Sequence, residues 1–194
     1  MITLNKEDNL ATAIRYINSK KLKNKHGIYC VWLKTSNLEG FTDFWAKRTD
    51  LYEEAKAANN NPKTYPKLPE LSGETAFEKD GYILLYIGKT TSLDAELKAH
   101  MSIAETTSAL KLFGSNMKSK KLNAEAKEIM AKDNRKAPFI DGIKMTYVNC
   151  WKELGHVEAL LHQEYKRLIG TTESIADEAI ECDLEEVSKK LGLI

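Results

Sequence analysis

The chain is poor in the features that would place it in several common protein classes. Its 194 residues hold only three cysteines, Cys30, Cys150 and Cys182, odd in number, far apart and without metal-ligand spacing. A disulfide scaffold and a cysteine-built metal site are thereby excluded, and reduced, mostly buried thiols in a cytoplasmic protein are expected. No apolar run approaches membrane-spanning length, and the N-terminal MITLNKEDNLATAIRYI lacks the continuous apolar stretch of a signal peptide. Net charge is only +1, so no global field draws the protein to nucleic acid, and any such attraction rests on local clusters. These are Lys20-Lys21-Lys23-Lys25, Lys111-Lys118-Lys120-Lys121 and Arg135-Lys136, although lysine runs are most often solvated surface.

What is present is 42% hydrophobic residues without repeats or low-complexity sequence, enough for a real core, and one domain over 1–194 is expected. Residues 1–25 read as a helix capped by Asp8, with Leu10, Ala13, Ile14 and Ile17 on one face, running into a basic segment. His26–Leu33 (HGIYCVWL) is β-branched, aromatic and apolar, the pattern of a buried strand. Residues 35–80 read as an insertion in which Thr42 caps a helix carrying Phe44, Trp45, Leu51 and Tyr52. Asn59–Lys79, with three prolines, is expected to be irregular. Further on, Asn123 caps a short helix through Met130, and Ile143–Cys150 alternates as a one-sided strand. Leu154–Ile169 follows as an amphipathic helix, striped by Val157, Leu160, Leu161, Tyr165 and Leu168, with Gly170 as its C-terminal cap. Glu158 borders that stripe, either partly buried with a partner or at a cleft rim. Residues 171–194 read as an acidic helical tail, its last helix capped by Asp183 and ended by Gly192.

The rest of the chain is organised around Gly81–Met101, GYILLYIGKTTSLDAELKAHM. Tyr82–Ile87 is an unbroken run of strand formers, Gly88 stops it, and Ser92 is placed as the N-cap of a helix. From Leu93 the apolar spacing becomes helical through Leu97, Met101 and Ala104. Glu96 and His100, four apart, share one helix face. A strand end thus delivers Tyr86 and Lys89 to a helix carrying a carboxylate and an imidazole.

With both strands in view, the sequence resembles the GIY-YIG nuclease superfamily. Gly27-Ile28-Tyr29 stands for the first motif, Tyr86-Ile87-Gly88 for the second, the helix Ser92–His100 follows, and Glu158 lies on a helix after a later strand. The resemblance covers about residues 26–34 and 81–169. It implies an α/β (α+β) domain with a small three-stranded mixed or antiparallel sheet flanked by helices. The implied activity is divalent-metal-dependent hydrolysis of DNA phosphodiester bonds, in restriction, phage biology or mobile-element processing. Glu158 would hold Mg2+ or Mn2+ through hard oxygen. Tyr29 would accept or relay the proton from the attacking water, helped if nearby positive charge lowers its phenol pKa. Tyr86 and His100 would position water and phosphate. Lys89, Lys98, Lys111, Lys118, Lys120 and Lys121 would meet the DNA. No membrane contact is implied, and a homo-oligomer or protein partner is the further association to consider.

Two positions depart from the family's pattern. Where it places an arginine one helical turn before the histidine, this chain has Glu96, and downstream of the glutamate helix an asparagine is replaced by Gly170-Thr171-Thr172. Arginine would make forked hydrogen bonds to phosphate, whereas glutamate opposes it. Three accounts of Glu96 stand: an engineered inactivating change, a naturally degenerate member that binds without cutting, or an extra metal ligand beside Glu158 with another residue as cation. The expected function is therefore an endonuclease impaired at Glu96. The alternative is a catalytically dead module that binds nucleic acid or a protein.

Overall fold

Every residue from Gly27 to Leu33 is buried in strand β2 (Gly27–Lys34), which therefore sits in the middle of a sheet with both faces covered. The structure, a computed structural model, describes residues 1–59, 68–101, 110–114, 122–133, 136–149, 154–170 and 183–194. β2 pairs antiparallel with β4 (Tyr82–Thr90) on one side and β5 (Gly142–Asn149) on the other. Two short strands extend this trio: β1 (Ile2–Asn5) adds to β5, and β3 (Glu78–Lys79) adds to β4. The sheet is thus five-stranded and wholly antiparallel, in the order β1-β5-β2-β4-β3, rather than three-stranded. β1 was hidden because only Ile2 and Leu4 alternate with polar residues, too short a pattern to register.

Alternation along β2 splits the core in two. Tyr29, Val31 and Leu33 face a large cluster covered by α1 (Leu10–Ser19), α2 (Leu38–Ala58), α3 (Leu93–Met101) and α4 (Ala124–Ala131). Ile28, Cys30 and Trp32 face the other way, under α5 (Leu154–Glu164) and α6 (Leu184–Leu191). β5 is buried on both faces instead of one, because α6 covers the side that alternation left polar. There Trp32 Nε1 donates to Thr146 Oγ1 at 3.0 Å, and Thr146 donates to the Leu191 carbonyl at 2.7 Å. Cys30 is a buried free thiol whose pKa is pushed up by burial; Cys150 and Cys182 lie outside the described residues.

Several helix boundaries follow hydrogen bonds that the sequence alone ranks differently. Asn9, not Asp8, caps α1 through Thr12 N–H, while Asp8 instead accepts from Asn5 N–H. Asn37, not Thr42, caps α2, and Thr42 lies inside it with its hydroxyl on the Glu39 carbonyl. Asn123 and Asp183 cap α4 and α6 as expected, and Gly192 ends α6 in the left-handed region. α5 stops at Glu164 rather than Ile169. The cause is the edge of β4 beyond its short pairing with β3, where the Leu84 and Leu85 carbonyls take hydrogen bonds from Leu168 and Ile169 N–H at 2.9 and 3.0 Å. Unmet sheet carbonyls outweigh another helical turn, since buried backbone groups must be paired.

Candidate functional site

Register decides what meets at the end of the β2–β4 pair. Tyr29 lies opposite Gly88 and Val31 opposite Tyr86, so the two tyrosines are diagonal neighbours on one face. Their ring centroids are 6.2 Å apart. Glycine at 88 is a steric requirement: a Cβ there would stand 2.6 Å from Tyr29 Cζ and 2.8 Å from Tyr86 Cε1. Gly27 answers to β5, because its Cβ would strike the Val148 carbonyl. Both motif glycines therefore let neighbouring groups approach closely.

Helix α3 leaves the same strand end and carries the third ring. His100 lies 5.3 Å from Tyr29 and 5.2 Å from Tyr86, centroid to centroid. Its Nε2 is 2.8 Å from Tyr29 Oη, and its Nδ1 accepts the Leu110 N–H at 3.0 Å. An accepting Nδ1 fixes the neutral ring as the Nε2–H tautomer, so His100 donates to Tyr29 and the phenol's own hydrogen points away from it. Burial, reinforced by Lys111, holds the imidazole's pKa down to about 3, so the ring is uncharged at neutral pH. The approach of Glu96 Oε1 to within 3.8 Å of Nε2 is accordingly a polar contact and not an ion pair.

The field at Tyr29 opposes ionisation. Its phenol is raised well above the usual range by burial first, then by Tyr86, Glu96, Glu158 and Cys30. The positive charge that would have helped activate this tyrosine is not what surrounds it: its environment is apolar and carboxylate-bearing, and Tyr29 is itself only 1% exposed. Glu96 is raised by burial, with Lys111 pulling the other way.

Glu158 reaches the site from a different direction. Its helix α5 packs on the face opposite the tyrosines, and its carboxylate lies along the edge of β4. Oε1 accepts the Lys89 N–H at 3.0 Å and Oε2 pairs with Lys89 Nζ at 2.9 Å. One turn on, His162 Nε2 lies 3.2 Å from the Ile87 carbonyl, and the chain beyond α5 then wraps the edge until Gly170 abuts Tyr86. Glu158 therefore does not share the tyrosines' face, but it is close enough to act on the Tyr29 phenol. Among the described residues no group of three or more His, Cys, Asp or Glu converges as a metal site. A magnesium ion that keeps several waters is held by one or two carboxylates together with a substrate phosphate, and Glu158 Oε2, itself on a side chain 10% exposed, could serve as the one carboxylate oxygen where the 44% exposed Lys89 side chain gives way.

The expected basic contacts are dispersed. Lys98 pairs with Asp94 on α3 at 2.8 Å, and Lys118, Lys120 and Lys121 lie outside the described residues. Lys111 is buried, not displayed, with 2% exposure. Sequence reasoning missed Arg48, buried at 2%, which donates to Asp133 at 2.9 Å and to the Lys111 carbonyl at 2.6 Å. The signal was present: Phe41, Trp45, Arg48, Tyr52 and Ala55 form one buried helical stripe, and an arginine on it must have partners. Among the described residues no helix is long and apolar enough to cross a membrane. Comparison with protein-family models, curated proteins and solved structures found no match.

Proposed function

We propose that the chain is a GIY-YIG-like protein whose Tyr29–Tyr86–His100–Glu158 site engages a DNA phosphodiester, with metal-dependent hydrolysis impaired by Glu96. The observation that carries this reading is the convergence of two phenols and an imidazole, centroids 5.2 to 6.2 Å apart, at the strand end whose edge Glu158 occupies. In this reading His100 donates to Tyr29 Oη and would stabilise a phenolate there, while Tyr29 takes the proton of the attacking water. Glu158 would hold Mg2+ or Mn2+ in this reading, with Lys89 turned from the carboxylate toward the phosphate. The ion, when bound, supplies positive charge for the phosphate oxygens.

Glu96 obstructs this in two ways. It sets a carboxylate against the phosphodiester, an opposition of about 4 kcal/mol for unit charges about 4 Å apart at an effective dielectric near 20. It also helps keep Tyr29 protonated. Arginine at 96 would reverse both contributions, which by rate arithmetic corresponds to roughly a thousandfold. The test is cleavage of supercoiled plasmid and branched DNA with magnesium or manganese. Glu96→Arg should cleave at least about a thousandfold faster than the chain as given, and adding Glu158→Ala or Tyr29→Phe should erase the gain. Equal activity with Glu96 would remove the arginine argument. No cleavage by Glu96→Arg would favour a binding module, a reading to which the full burial of His100 already lends weight.

A further inference from the structure

The strongest unassigned feature is the short segment that grips His100. Leu110 N–H binds the imidazole Nδ1 at 3.0 Å and Leu112 N–H binds the His100 carbonyl at 2.8 Å, so the two residues flanking Lys111 clasp the histidine from ring and backbone. Lys111 between them takes a left-handed backbone with φ of 53°. Such a conformation in a lysine costs free energy and persists only where the surroundings impose it. They do so here: Arg48 Nη2 donates to the Lys111 carbonyl at 2.6 Å, Arg48 is anchored to Asp133, and Gly114 N–H also binds that carbonyl at 2.9 Å. A lysine is thereby held with 2% exposure between two residues bonded to His100, a placement a purely structural loop would give to an apolar side chain.

We infer that Lys111 is a positioning residue of this site: the Arg48-anchored loop that carries it fixes His100 as the Nε2–H donor to Tyr29 through Leu110 N–H, and its buried ammonium balances Glu96 and adds to burial in keeping the ring neutral. The charge of Glu96 is thus met from outside the helix, which leaves the Glu96–Lys111 combination neutral overall and without the free forked cation that an arginine would offer a phosphate. The significance of this for phosphodiester chemistry rests on the function proposed above; the clasp on His100 does not. Tyr29 from β2, Tyr86 from β4 and Glu96 from its own helix face His100, the loop meets it through Leu110 and Leu112 N–H on either side of the buried Lys111, and Glu158 acts on Tyr29 from α5. Without Lys111 the histidine faces a carboxylate with no compensating cation, which favours its protonation.

The test follows His100 by nuclear magnetic resonance in the full chain, reading ring-nitrogen shifts against pH. The unsubstituted protein should show the Nε2–H tautomer and no titration down to about pH 4. Lys111→Met should raise the His100 midpoint by one unit or more, Lys111→Gln should do the same if the methionine form folds poorly, and Lys111→Arg should restore the original behaviour. Lys98→Met, on the same helix but paired with Asp94, is the control and should leave it unmoved. An Nδ1–H tautomer in the unsubstituted protein, or an unchanged midpoint in both neutral variants, would overturn the inference. A labelled branched DNA separates this from the function itself. If the unsubstituted chain and Glu96→Arg both fail to bind it while His100 still responds to Lys111, the phosphodiester reading falls and the role of Lys111 stands.

Discussion

Two glutamate–lysine combinations flank the tyrosines, and they are built in opposite ways. At the edge of β4, Glu158 is fixed by a backbone N–H, but its ionic partner is a side chain 44% exposed to solvent. Behind α3, Glu96 is balanced by a lysine that is 2% exposed, with its backbone held by Arg48 and its neighbours bonded to His100. The first can open at its lysine, which already reaches solvent, while Glu158 keeps the Lys89 N–H; the second is held, because Lys111 is enclosed and its backbone is tied to Arg48. An exchangeable combination suits a place where a cation comes and goes. A fixed one suits a charge that sets the protonation of its neighbours.

The comparison breaks most severely if the ground between the two combinations is filled. Gly88→Ala would drive a methyl group into both Tyr29 and Tyr86, and a destabilisation of about 3 kcal/mol is expected, the upper range for overpacking a core. Urea unfolding measures it. A loss below roughly 0.5 kcal/mol, the scale of ordinary surface changes, would mean the two rings are not held where described.

The fixed side is sharpened by pH. His100 binds its proton at about 3 when folded, against 6.5 for the ordinary side chain. Between those values the unfolded chain therefore holds more protons than the folded one. The sign follows: this contribution is fully present above about pH 6.5 and is lost as pH falls toward 3, at about 1.4 kcal/mol per pH unit. Unfolding measured from pH 6 to 4 should show that slope, and His100→Gln should flatten it. An identical slope in the variant would assign the acid sensitivity elsewhere.

The smallest effect belongs to the open side. Lys89→Met should cost about 1 kcal/mol, more than a surface pair because Glu158 is only 10% exposed, but less than a fully buried pair because the 44% exposed lysine is screened by solvent and the carboxylate keeps the Lys89 N–H. It should also tighten manganese binding severalfold by removing a competing ammonium. Titration calorimetry and unfolding on one preparation check both. Weaker manganese binding would show that Lys89 supports the ion rather than competing with it.

Much of this arrangement was legible from local pattern, and the remainder depends on partners distant in sequence. The strands bearing Tyr29 and Tyr86 declared themselves as continuous apolar runs, and Glu96 and His100 met as their four-residue spacing requires. The caps at Asn123 and Asp183 followed from side-chain chemistry. The end of α5 did not, since it is dictated by carbonyls on β4 about eighty residues earlier in the chain, at Leu84 and Leu85. Nor did the burial of Lys111, which in sequence belongs to a lysine cluster and in space belongs to Arg48 and His100. Charge patterns indicate surface only where no packed element claims the residue.

The claim on which the difference between the two sides turns is that a divalent cation enters at Glu158 and not at Glu96. Substoichiometric manganese should broaden the Lys89 amide resonance, which belongs to the N–H that Glu158 accepts. Glu158→Gln, which preserves that hydrogen bond but removes the charge, should abolish the broadening, and Glu96→Gln should leave it intact. Broadening that survives Glu158→Gln, or that disappears with Glu96→Gln, would contradict it.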